Sequence, residues 1–128
     1  MDWISIFGWK NESLEDLRFV AYSYIKQGAY DIALTFFEAL SVLSPANSYD
    51  LQTIGALHLQ MGNGLQALDY LDKALKSDPT HPLTKLNRTK ALLMLGYKRQ
   101  GLAQAMELQR SDDPEISKAA SALIICYQ

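Results

Sequence analysis

Cysteine is nearly missing from this 128-residue chain: Cys126 stands alone, so no internal disulfide can form and packing must carry the fold. No basic residue flanks Cys126 in sequence to generate a reactive thiolate. Histidine is almost as scarce. His58 and His81 lie far apart, and no His/Cys group has metal-ligand spacing. The 12 lysines and arginines against 14 acids never gather into a run, which argues against a nucleic-acid partner. No apolar stretch reaches the ~20 residues that membrane insertion by a helix demands. The apolar start, MDWISIFGWK, has no basic flank ahead of its hydrophobic part, so a secretion signal is not expected and a cytoplasmic location is. Gly62-Asn63-Gly64 lacks the Gly-Lys-Ser/Thr ending of a phosphate loop and predicts a turn. Asp112-Asp113 fits helix capping better than a catalytic carboxylate pair. These absences leave no convergent reactive groups: no enzyme, cofactor or metal is expected.

What the chain does have is a period. QGAYDIALTFFEALSVLSP (27–45) returns as MGNGLQALDYLDKALKSDP (61–79), 34 positions on. Gly28, Gly62 and Gly96 share that ladder, as do Ala33, Ala67 and Gly101, and Pro45 and Pro79. A fixed period of this size marks stacked supersecondary units. Each unit predicts two helices. In the second, Leu51, Ile54, Gly55 and His58 share one stripe. After the Gly62–Gly64 turn, Ala67, Leu68, Leu71, Ala74 and Leu75 recur at spacings of three and four. The composition, 48% hydrophobic and 20% charged, suits a single globular domain.

This pattern resembles the tetratricopeptide repeat. The second unit matches through Leu51, Ile54-Gly55, His58, Gly62, Ala67, Leu71, Ala74 and Pro79. The first matches through Leu17, Val20-Ala21, Tyr24, Gly28, Tyr30, Ala33, Phe37 and Pro45, with Leu40 where alanine is usual. The third keeps Gly96 but has Arg88-Thr89 in place of Leu-Gly, and Gly101 in place of alanine. The resemblance implies an all-α fold: three helix pairs plus a C-terminal helix in a short right-handed superhelical array. The expected divisions are an apolar N-terminal segment (1–13), repeats at 14–47, 48–81 and a degenerate 82–115, and a final helix over 114–128. In such repeats His58 holds an aromatic packing position rather than a catalytic one.

With no reactive chemistry, function is expected on a surface. Small residues at 21, 55 and 89 face the partner helix, so repeat positions 2, 5, 9 and 12, flanked by 13, should line the inner wall. The expected partner-binding groove comprises Tyr22, Ile25, Tyr49, Ala56, Leu59, Leu83, Leu86, Leu93 and Met94, with charge mostly at its first-unit end. Tyr22, Thr53 and Leu83 stand where carboxylate-clamp members of the family carry polar residues, so that role is not expected. The apolar C-terminal tail is expected to pack on the sixth helix, and the apolar N-terminal residues to fold into the groove, pack on the first repeat or meet a partner. The alternative for both is a second partner surface at Trp3, Phe7, Trp9, Leu123 and Ile124.

Across most of its length the wording is similar to the tetratricopeptide chaperones of bacterial type III secretion. That resemblance implies a cytoplasmic chaperone shielding the amphipathic helix of a secreted subunit, with a needle subunit favoured over a translocator because little precedes the first repeat. A small co-chaperone or self-association would fit the same branch. The alternative is a general scaffold for protein–protein assembly.

Overall fold

The structure, a computed structural model, describes residues 3–45 and 47–128, with side chains described from residue 12 onward. The described residues form seven helices: α1 (Trp3–Lys26), α2 (Tyr30–Leu43), α3 (Ser48–Gln60), α4 (Gly64–Ser77), α5 (Pro82–Met94), α6 (Lys98–Leu108) and α7 (Pro114–Tyr127). No strand occurs among the described residues. The chain divides into two compact units, Met1–Pro45 and Ala46–Gln128.

Local chemistry sets the helix ends. Gly28, Gly62 and Gly96 end α1, α3 and α5 with φ of +78°, +80° and +89°, a region where a Cβ would be strained. The N-terminus of α3 is capped by Asn47, whose side chain accepts the Asp50 N–H at 3.0 Å. Asp113 caps α7 by accepting the Glu115 N–H at 3.0 Å, with Pro114 at the first helical position. His81 caps α5 through an imidazole nitrogen, a role the sequence had not suggested.

In the first unit α1 packs on α2. Leu14, Ala21, Ala33, Phe37 and Leu40 are buried there. Tyr22 meets Phe37 edge-on at 5.2 Å between ring centroids, and Tyr24 stacks on Phe36 at 5.6 Å. Such aromatic pairs add to the area they bury.

In the second unit each helix packs on the next, and α5 also meets α3 and α7. Ala67, Leu71 and Ala91 form one buried cluster, with Leu59 and Leu68 against it. A second joins Leu86, Leu108, Ile116 and Ala120, with Ala119 and Leu123 against it. Close approach explains two glycines. A Cβ on Gly55 would lie 2.6 Å from Leu71 Cγ, and one on Gly101 would lie 2.6 Å from Leu93 Cδ2. The third helix pair thus moves its glycine from the first helix to the second, with Thr89 fully buried opposite. Its departures from the repeat are compensated by polar bonds. Arg88 Nε donates to Asp72 at 2.6 Å, and the Thr89 hydroxyl donates to Gln104 Oε1 at 2.9 Å. These bonds tie α5 to α4 and α6 where Leu-Gly would otherwise pack.

Candidate partner-binding surface

The inner-wall stripe divides in a regular way. At 100° per residue, repeat positions 2, 9 and 13 lie within about 40° of one another, whereas positions 5 and 12 sit about 60–80° to one side. In α1 this leaves Glu15, Tyr22 and Lys26 exposed, while Arg18 and Ile25 are half-buried. In α3 it leaves Tyr49 and Gln60 exposed and Ala56 half-buried, with Gln52 and Leu59 half-buried on the flank. In α5 Leu83 and Met94 are exposed and Lys90 half-buried, while Leu86 and Leu93 are buried.

Two candidates therefore differ from expectation. Leu86 is 4% exposed because its side of α5 is covered by Leu108 of α6 and by Ile116 and Ala120 of α7. Leu93 is also 4% exposed, set into the space that Gly101 leaves on α6. Both are core residues and not accessible to a partner in this conformation. Leu59 contributes mainly to the cluster between α4 and α5. The accessible apolar side chains on the second unit's stripe are Tyr49 at 69% exposure, Leu83 at 44% and Met94 at 44%. Lys90 and Gln60, which share the stripe, make it more polar than the expected groove.

The two histidines are structural in this arrangement. His58, buried, stacks on Tyr70 at 5.6 Å between centroids and lies 3.4 Å from the Asn63 amide through Nδ1. His81 Nδ1 accepts the Thr84 N–H at 3.3 Å and lies 2.7 Å from its hydroxyl. Among the described residues, no group of three or more His, Cys, Asp or Glu could hold a metal ion. None of their helices is long and apolar enough to cross a membrane. Of the second expected surface, Leu123 packs on the α5–α7 cluster and Ile124 is half-buried. Its neighbour Ile125 is the exposed residue there. The side chains of Trp3, Phe7 and Trp9 lie outside the described residues.

No family model matches the chain. Solved structures do share its fold. The type III secretion chaperone SycD of Yersinia enterocolitica, in complex with a peptide of the translocator YopD, aligns with a TM-score of 0.81 at 23% identity, covering 91% of this chain and 92% of that one. PcrH in complex with the chaperone-binding region of PopD gives 0.79 at 20% identity, covering 91% and 92%. The tetratricopeptide domain of Arabidopsis OM64 gives 0.77 at 19% identity, covering 88% and 94%. In sequence, anaphase-promoting complex subunit 3 of Schizosaccharomyces pombe is 28% identical over 86 residues, which are 67% of this chain and 13% of that protein. The chain thus has an all-helical tetratricopeptide-type fold. In that fold it resembles the chaperones of type III secretion.

Proposed function

We propose that the protein is a cytoplasmic type III secretion chaperone that captures an apolar segment of a secreted translocator subunit. The observation that carries this reading is the match, over nine-tenths of both chains, to SycD with a translocator peptide bound. The neighbours support a translocator client over the needle subunit expected from the sequence. On the second unit the contact stripe is Tyr49, Ala56, Leu83 and Met94, with Leu59 on its flank. Bound there, a segment that would otherwise aggregate is kept from water and from other copies of itself. No nucleotide is needed, since capture is mass action.

Leu83 is the residue to test. It occupies the first turn of α5, where an aspartate is favoured by the helix dipole, so Leu83→Asp should keep the fold and destroy an apolar anchor worth ~2 kcal/mol. Co-expression with the secreted translocator subunits of the same genome should raise the soluble fraction of one of them, and Leu83→Asp should abolish the gain. Unchanged client solubility with the wild-type chain overturns the chaperone role. A general assembly scaffold is the second reading, favoured by the sequence likeness to a subunit of a large complex. A scaffold would bind a folded partner without altering that partner's solubility.

A further inference from the structure

A small recess opens on the second unit beside the exposed ring of Tyr49. It is walled by Ser48, Tyr49 and Gln52 of α3, by Ala74 and Asp78 at the end of α4, and by His81 and Thr84 at the start of α5. Its floor has room for one group about the size of a water molecule. Several features select the charge of that group. Asp78 lines the recess, and its carboxylate makes no hydrogen bond or ion pair with a described residue. Only its backbone is engaged, the N–H donating to Ala74 O at 3.0 Å. That places the carboxylate at the C-terminal, negative end of the α4 dipole, where a cation is favoured. Tyr49 lines the same wall and packs against His81 at 6.4 Å between ring centroids, and an aromatic ring is a favourable neighbour for a cation.

The opposing influences are the N-termini of α5 and of α3, whose first residue Ser48 also lines the recess and whose free N–H groups would favour an anion. At α3 the Asn47 side chain takes the Asp50 N–H, and the α5 end is largely closed. Pro82 has no N–H, and the Thr84 N–H is taken up by His81 Nδ1. An anion would in addition face the Asp78 carboxylate. We propose that the recess is a subsite for a lysine of the captured segment, its ammonium seated against Asp78 and the Tyr49 ring. An ammonium is compact enough for the space, whereas a guanidinium is broader and planar. This inference rests on the partner-binding role argued above and adds a chemical requirement: the segment carries a lysine flanked by apolar residues that reach Tyr49 and Leu83.

The test uses the full chain and short synthetic apolar peptides that differ at one central position: lysine, arginine, norleucine or glutamate. Affinities are measured by fluorescence anisotropy for the wild-type protein and for Asp78→Asn, which preserves shape and breaks no intramolecular bond. The lysine peptide is expected to bind about tenfold more tightly than its norleucine counterpart, the scale of a charge-assisted hydrogen bond. Asp78→Asn should erase that preference while leaving norleucine binding unchanged, and added salt should weaken it. Equal binding of lysine and norleucine peptides, or a preference that survives Asp78→Asn, overturns the subsite and leaves the apolar capture surface standing. Failure of every peptide to bind overturns the capture surface itself and the subsite with it.

Discussion

Two leucines three residues apart on α5 separate folding from binding. Leu83 is exposed, and Leu86 lies in the cluster with Leu108, Ile116 and Ala120. Leu86→Asp puts a carboxylate among apolar side chains with no cation in the cluster, so it should cost about 3–5 kcal/mol and unfold much of the second unit. Leu83→Asp should shift the urea midpoint little. Paired denaturation curves followed by circular dichroism decide this, and equal losses would show that Leu83 is also a core residue. The sequence could not separate the two. Both fall on one helical stripe, and only the docking of α7 determines which side of that stripe is covered. Leu93 is the same case, buried by a glycine whose purpose is visible only beside it. By contrast, the ladder of Gly28, Gly62 and Gly96 was legible in full, since a repeated left-handed φ leaves a repeated glycine. Gly101→Ala should cost about 1–3 kcal/mol through overpacking against Leu93. Leu93→Ala in the same chain should recover part of that loss, and strict additivity in the double-mutant cycle would refute the contact.

At the scale of the element, α5 is where the repeat pattern is weakest and the structure least conventional. It departs from the repeat pattern at Arg88 and Thr89, yet it packs on α3, α4, α6 and α7. Its polar residues form bonds that the repeat signature does not anticipate: Arg88 to Asp72, Thr89 to Gln104, and Lys85 to Glu107 at 3.4 Å. These bonds differ in weight. The Arg88–Asp72 pair is about a third to a half exposed, so Arg88→Met should cost less than about 1 kcal/mol and grow cheaper in salt. Thr89 is fully buried, and Thr89→Val removes a hydroxyl that lies 2.9 Å from both Gln104 Oε1 and the Lys85 carbonyl oxygen. That change should cost about 1–3 kcal/mol. Thermal melts of the two variants give the order, and a larger loss for Arg88→Met would reverse the assignment. That the repeats are helix pairs followed from the period, its turn residues and the family resemblance, although α1 reaches back to Trp3, into the segment expected to precede the first repeat. The partners of Arg88 and Thr89 did not, because each bond joins residues about a half-repeat apart in sequence and depends on which faces meet.

For the molecule as a whole, the division into two units makes a prediction about autonomy. Ala46–Gln128 holds five helices, α3 to α7, each packed on the next, with both apolar clusters inside it. Its last helix is fixed by Ile116 and Ala120 and by a hydrogen bond from the Ser117 hydroxyl to Gln109 O at 2.7 Å. Met1–Pro45 holds one helix pair, in which Ile32, Val42 and Leu43 are exposed. A helix pair alone buries too little of its apolar surface to offset chain entropy, and helical repeats gain stability only when several stack. A fragment of residues 47–128 should therefore melt cooperatively, with helical circular dichroism close to its share of the intact chain. A fragment of residues 1–45 should show a shallow transition and association that increases with concentration, as its exposed apolar residues seek cover. The first fragment also carries Tyr49, Leu83, Met94 and the Asp78 recess, so it should retain lysine-dependent peptide binding if those residues form the anchor set. A cooperative fold without binding would show that those residues do not suffice as anchors. Loss of cooperativity in residues 47–128 would instead show that its two clusters do not suffice as an independent core.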